Sequence, residues 1–387
     1  MKFFSGKKAI ANVEFIISIA VFLVVISFVT ITAFNVLPVF HRETLSEGSK
    51  AGLYQFSELV VSEGYPKNWS DDARNTKTYG LSSQERYILD AEKISTLDSL
   101  CKTDYEKIRD SFGEYDIKLV VERLNGTVLL DCQPPIKQLS RELYIDRFGV
   151  LREPLKPDVN TMLLLHFDNS YDGYSGETPV QQSGTSFTGG RFDEAVLVEN
   201  NDVLSYSGSE IQQMQGTVEM WVRPEWNGND DSTTNNYFFD FRPGWYPSPP
   251  DFNAIRIGQN GVAHELFAFK IADKNNVSYA INASINNWNA GQWHYIAATW
   301  KNVNSGYPNA EMHFYIDGKE VGNPVTNSLI TLNETPNSIY IGSVRGVMNF
   351  ANAAIDEVRI SNISRSEEEI FKNYFGDIVR IRTTVIG

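Results

Sequence analysis

The sequence predicts three parts: an apolar N-terminal helix of membrane-spanning length, a small α+β head, and a large all-β sandwich of jelly-roll type as the main domain. Three observations carry this. Phe15 to Phe34 runs for twenty residues without a charge, which at ~1.5 Å per residue makes a helix of about 30 Å, the thickness of a bilayer core. In the following hundred residues, helical spacing gives way to two alternating runs either side of Asn125-Gly126, a strong hairpin signal. From about Val159 to Tyr374, short alternating runs recur with turn residues every ~8–12 positions, the pattern of a sandwich.

Charge divides the chain in the same place. Residues 158–376 hold 26 acidic and 12 basic side chains, whereas the remainder holds 22 of each. Two folding units with different surfaces follow, and the acidic one lacks the Lys/Arg patch that nucleic acid requires. The two cysteines, Cys101 and Cys132, are expected on the outer side of the membrane, where an oxidising space would pair them. Six Asn-x-Ser/Thr sequons, at Asn68, Asn125, Asn276, Asn282, Asn333 and Asn362, fall in the same outer part.

At the N-terminus the order of features is informative. Lys7-Lys8 precedes the small Ala9, then Ile10-Ala11-Asn12-Val13-Glu14, then the apolar run. A secretory signal would have a shorter core and a small-residue cleavage site after it. Glu14 is costly at the entrance of an apolar helix unless it is partnered. This arrangement resembles the prepilin signal of archaeal type IV pilins. The resemblance implies that residues 1–9 are a leader cut after Ala9 by a prepilin-type peptidase. Ile10 would then be the mature N-terminus of an assembly helix over 10–37. Glu14 would neutralise the free amine of a neighbouring subunit, since a buried ion pair is tolerable where a lone charge is not. The leader lysines place residue 40 onward outside. A plain single-pass membrane anchor is the alternative reading.

The head occupies 38–155. Leu45, Gly48, Gly52, Phe56 and Leu59 or Val60 share a helical stripe that stops at Gly64-Tyr65-Pro66. Helices are expected over 90–100 and 104–112, and strands over 116–124, 127–132 and 143–151. Residues 154–157 read as a linker. At the far end, residues 377–387 alternate in polarity again. They either complete the head sheet beside 143–150, which would make the sandwich an insertion, or fray at a sandwich edge.

The sandwich, 158–376, carries a series of motifs. In order these are Met162 to Asp168 (MLLLHFD), Gly190-Arg191-Phe192-Asp193-Glu194-Ala195, Gly216 to Pro224 (GTVEMWVRP), Trp293 to Trp300 (WHYIAATW), Phe314 to Lys319 (FYIDGK), Ile339-Tyr340-Ile341-Gly342, and Ala354 to Ile360 (AIDEVRI). Together they look like the laminin G-like, concanavalin A-like lectin/glucanase domains of secreted and surface proteins. The resemblance implies a calcium ion at the rim, with Asp168, Asp172, Asp202 and Asp356 as candidate ligands. It also implies a glycan or protein ligand. Trp226, Trp245, Tyr246 and Trp288 lie in polar loops where an indole or phenol can stack on a sugar. Glycosidases of this fold place several carboxylates on one strand face, but no such triplet is present. Asp356-Glu357 are adjacent and are expected to face opposite sides of a strand. The sequence therefore points to a non-enzymatic, surface-displayed binding protein, either in a pilus with other pilin subunits or anchored in the cell membrane.

Overall fold

A computed structural model describes residues 22–30, 47–83, 86–113, 115–135, 142–209, 211–230, 235–242, 254–259, 266–332 and 338–386. Helix α1 covers 22–30 with its apolar side chains exposed. Among the described residues no helix is long and apolar enough to cross a membrane. Lys7, Lys8, Ala9, Ile10 and Glu14 lie outside the described residues.

The head begins with α2 (Glu47–Val60), which turns Leu53, Phe56 and Val60 inward. Helix α3 (Ala91–Thr103) starts at Asp90, whose carboxylate accepts from the N–H groups of Glu92 and Lys93, and α4 (Tyr105–Phe112) is capped by Asp104. Such caps satisfy donors that have no partner inside the helix. The helices cover a five-stranded sheet in the order β1 (Ile88–Leu89), β4 (Glu142–Leu151), β21 (Asp377–Ile386), β2 (Asp116–Arg123), β3 (Val128–Cys132). The middle strand is thus the last of the chain. It pairs antiparallel with β4 along its whole length and with β2 on its other side. Val379 and Ile381 enter one core with Phe56, Trp69, Leu97 and Leu119. A disulfide joins Cys101 to Cys132, tying α3 to β3.

Between β4 and β21 the chain builds the sandwich. Its larger sheet runs β17 (Lys319–Glu320), β16 (Ala310–Ile316), β15 (His294–Lys301), β10 (Gly216–Pro224), β20 (Ala353–Ser361), β8 (Glu194–Val198), β7 (Ser186–Gly189). In addition β18 (Val325–Ser328) pairs with β16, and β5 (Thr161–Leu165) with β20. The smaller sheet runs β14 (Ser278–Ser284), β13 (Leu266–Ala272), β12 (Ala254–Gln259), β11 (Tyr237–Arg242), β19 (Ser338–Ile341), β9 (Val203–Ser207), β6 (Gln181–Ser183). Alternate residues of facing strands interdigitate: Val218, Met220 and Val222 of β10 meet Phe239, Phe241 and Ile257 in one core. Asp317-Gly318, both at positive φ, form the tight turn between β16 and β17.

The outer face of the larger sheet is covered too. Helix α5 (Glu367–Phe375), held by a Ser366/Glu369 capping box, lays Ile370 and Tyr374 on Trp221, Tyr295 and Tyr315. Beneath it the buried Glu219 carboxylate gathers donors from several directions. Oε2 accepts from Arg359 Nε and Nη2 at 2.8 and 2.6 Å, and Oε1 from Asn373 Nδ2 at 2.8 Å and from the Tyr295 hydroxyl. Arg359 reaches on to the Lys156 carbonyl, and Arg365 joins Glu219 at 3.4 Å to Asp158 at 2.7 Å.

Where the sandwich leaves and rejoins the head, Asp377 pairs with Leu151 in the sheet. An ionic clamp closes that point: Arg123 holds both Glu153 and Asp377, while Lys156 binds Glu153 at 2.9 Å and Lys372 binds Asp377 at 3.1 Å.

Two outcomes follow. Glu219→Gln leaves buried guanidinium groups without their carboxylate and should cost about 3–5 kcal/mol in urea unfolding. Burial opposes the Glu153 charge, but bonds from Arg123 and Lys156 outweigh it and hold its pKa below the ordinary value. A group with a depressed folded pKa contributes stability that is present above its unfolded pKa and lost as pH falls through the folded one. Protease cleavage in 152–157 should therefore accelerate as pH drops below about 4, and Glu153→Gln should flatten that dependence.

Candidate functional site

One end of the sandwich, beyond the Pro224 end of β10 and the Ala353 end of β20, carries loops that enclose a cleft of about 200 Å³. The β10–β11 loop can turn tightly here because position 228 is glycine: a Cβ there would lie 1.7 Å from the Ile285 carbonyl oxygen. Asn227 is fixed by its backbone N–H to Asp230 Oδ2 (2.8 Å) and by its Oδ1, which accepts from Ala290 N–H. Trp226 Nε1 and Asn236 Nδ2 both donate to the Ala351 carbonyl at 2.9 Å. Asn236 and Gln259 exchange further bonds, Asn236 N–H to Gln259 Oε1 and Gln259 N–H to Asn236 O. Asn349 and Asn352 sit at positive φ, where asparagine is tolerated better than most residues.

The lining is six asparagines with Gln259, Asp230, Trp226 and Phe350. No Lys, Arg or His is among them, and the one carboxylate already accepts from Asn227. Asn235 Oδ1 is buried without a hydrogen-bond partner. An amide presents donors and an acceptor together, so the surface is chemically matched to an uncharged ligand bearing hydroxyl groups.

Of the aromatic candidates, Trp226 lines this cleft. Trp288 does not offer a platform: it is 2 % exposed in the sandwich core, with its ring stacked near Trp226 and against His294, 4.1 Å away. Trp245 and Tyr246 lie outside the described residues.

The four aspartates are not brought together. Asp202 Oδ2 accepts from Glu199 N–H in the β8–β9 turn, and Asp172 is exposed near Tyr206. Asp168 and Asp356 do share a neighbourhood, through which the Asp168 charge acts on Asp356. Asp356 Oδ2 accepts from Arg191 and Phe192 N–H at 2.8 and 3.0 Å, while Oδ1 is buried without a partner. Burial, followed by the adjacent Glu357 charge, pushes the Asp356 carboxyl up to about 8. No group of three or more His, Cys, Asp or Glu among the described residues is arranged to hold a metal.

The expected opposition of Asp356 and Glu357 is also corrected. Glu219 pairs with Arg359 but Trp221 with Asp356, so one residue of β10 faces two of β20, and Glu357 takes φ +53°. This β-bulge turns both carboxylates away from the core occupied by Ile355 and Val358. Glu357 binds His166 Nδ1 at 2.7 Å and the Leu155 N–H at 2.5 Å, anchoring the linker. The asparagines of the cleft were not singled out from sequence. Their signal was the density of Asn in the loops around 227, 235 and 349, which alone does not say that the loops converge.

Two facing sheets with helix-covered outer strands and a loop-end cleft define a jelly-roll sandwich of the concanavalin A type. The family model described as "Concanavalin A-like lectin/glucanases superfamily" (Laminin_G_3) matches residues 176–371, just over half of the chain, and the chain belongs to that family. No curated protein matches it. Solved structures similar to it include the binding domain of Paraclostridial Mosquitocidal Protein 1 (14% identity, TM-score 0.43, 56% of this chain and 52% of that one). Two others are the Botulinum Neurotoxin Type G receptor binding domain (16%, 0.36, 56% and 51%) and Domain 4 of AbnA, a GH43 extracellular arabinanase from Geobacillus stearothermophilus, in complex with arabinotriose (17%, 0.38, 56% and 98%). The chain spans about half the length of the toxin domains it matches.

Proposed function

We propose that this is a cell-surface binding protein whose sandwich takes an uncharged glycan in the asparagine-lined cleft, and whose N-terminal helix carries it as a pilin-like subunit. The observation that carries the binding half is the lining itself: amides and an indole, with no Lys, Arg or His among the described lining residues. Binding is favoured over catalysis because the buried carboxylate pair in which both members have raised pKa values, Asp356-Glu357, does not line the cleft, and Glu357 is engaged in holding the linker. The pilin half rests on the order Lys7-Lys8-Ala9, Ile10 to Glu14, and the apolar run. The runner-up is a membrane-anchored protein that never enters a filament. Calcium belongs to this reading only at Asp356 and Asp168, two carboxylates near one another with one oxygen left over.

In a glycan array, the full chain should retain neutral oligosaccharides. Asn235→Leu should weaken the best of them by about tenfold, the value of roughly one buried hydrogen bond. Unchanged binding by that variant would place the ligand elsewhere, and release of free sugar would favour an enzyme. Mature protein from its own cells should begin at Ile10, and Glu14→Ala should be exported but left out of filaments. An N-terminus upstream of Ala9 sinks the pilin half and leaves the anchor.

A further inference from the structure

The cleft holds one aromatic ring that no core claims. Phe350 lines it half-buried, and among the described residues it belongs to none of the three hydrophobic clusters. Trp226 differs: its ring packs on the sandwich core near Phe238 and Trp288, and its Nε1 is bonded to the Ala351 carbonyl. Only the part of the indole left over by that packing can meet a ligand.

The backbone around Phe350 is built to present it. An extended segment sends alternate side chains to opposite sides, yet Asn349 joins Phe350 and Asn352 in the cleft while Ala351 is buried. Asn349, at φ +53°, breaks the alternation, and Asn352, at φ +46°, ends the segment. Left-handed residues other than glycine persist where their surroundings hold them, often beside a ligand. Here three segments do the holding. Tyr237 N–H donates to the Asn349 carbonyl at 3.1 Å, Ala351 N–H to the Gly342 carbonyl at 2.7 Å, and Glu225 N–H to the Asn352 carbonyl at 3.0 Å.

Size narrows the ligand. The cleft's volume of about 200 Å³ is below the ~300–1,000 Å³ of clefts that enclose drug-sized molecules, so one sugar ring can enter and a second stays outside. A pyranose has hydroxyl groups around its rim and a face of C–H bonds. The negative face of an aromatic ring attracts those C–H bonds, and amides suit the rim. We propose that the cleft takes a single neutral pyranose residue, with its C–H face on the Phe350 ring, and that this contact sets which sugars bind. The inference rests on the neutral-glycan reading of the cleft proposed above.

The test is isothermal titration of the full chain in detergent with the methyl α- and β-glycosides of glucose, galactose, mannose, xylose and N-acetylglucosamine, each beside a disaccharide ending in it. The best methyl glycoside should bind within about threefold of its disaccharide, and a gain above about tenfold from the second residue overturns single-residue recognition. Phe350→Ala and the similarly bulky Phe350→Leu should each weaken binding by about tenfold, with the melting temperature unchanged. Phe350→Trp should retain binding. Loss of affinity that tracks a fall in melting temperature assigns Phe350 a structural role and overturns the proposal. Wild-type affinity in Phe350→Ala and Phe350→Leu overturns the stacking: if Asn235→Leu has lost affinity the cleft reading stands, and if it has not, that reading falls too. No binding of any methyl glycoside, with longer glycans still retained, overturns single-residue recognition alone, and no sugar retained at all overturns the cleft reading with it.

Discussion

Strand β21 can take its place between β4 and β2 only after the chain has traversed the entire sandwich. Its Val379 and Ile381 are fully buried in the head core, so the head has no complete hydrophobic centre without residues 377–386. The sandwich must therefore return its end to within one strand spacing of its beginning, roughly 5 Å. A jelly roll whose first strand joins the larger sheet beside β20, and whose last helix lies on that sheet's outer face, meets that demand. Insertion between adjacent strands is tolerated where an inserted unit has close termini.

What brings those termini together is the chemistry on the outer face of β10 and β20. Glu219 collects Arg359 and, more loosely, Arg365, and through them Lys156 and Asp158 of the linker, while Asn373 ties in the helix that precedes β21. Glu357 holds Leu155 from the same strand. Glu219, Arg359 and Arg365 are buried, so each of these charges is tolerable only because the others are present. The entry and exit of the insertion are thus bound through Glu219, with Glu357 and the clamp at Glu153 and Asp377 beside it. The side chains that a search for catalysis would notice first, carboxylates and a histidine with shifted titration, serve this structural purpose.

Much of this was legible in the sequence, for identifiable reasons. Asp90 and Asp104 mark helix starts because capping is local. Strand β10 reads correctly because Val218, Met220 and Val222 alternate with residues of the opposite face. The pairing of Cys101 with Cys132 follows from there being two. The partner of residues 377–387 was open, because alternation reveals a face and not a neighbour. The bulge at Glu357 was invisible, since a non-glycine residue at positive φ leaves no mark in the sequence. Trp288 misled because a polar loop can still drop one large side chain into the core. The cleft was missed because its asparagines come from loops distant in sequence, and convergence is a property of the fold alone.

The charge of the sandwich bears on what its cleft can hold. With 26 acidic against 12 basic side chains over 158–376, the domain repels anions at long range, and several of its guanidinium groups are spent inside, on Glu219 and Asp240. A sulfated or carboxylated sugar would meet that field in a cleft with no Lys, Arg or His among its described lining residues. Among those residues a cation would find one carboxylate, Asp230, already bonded to Asn227. A neutral polyhydroxyl ligand pays neither penalty. Its hydroxyl groups can donate to amide oxygens and accept from amide N–H groups, and its apolar sugar face can lie near an indole. Recognition of that kind depends on geometry more than on charge. That accords with a cleft whose walls are pinned by backbone bonds at Ala351 and Gln259 and backed by the buried stack of Trp288 on His294.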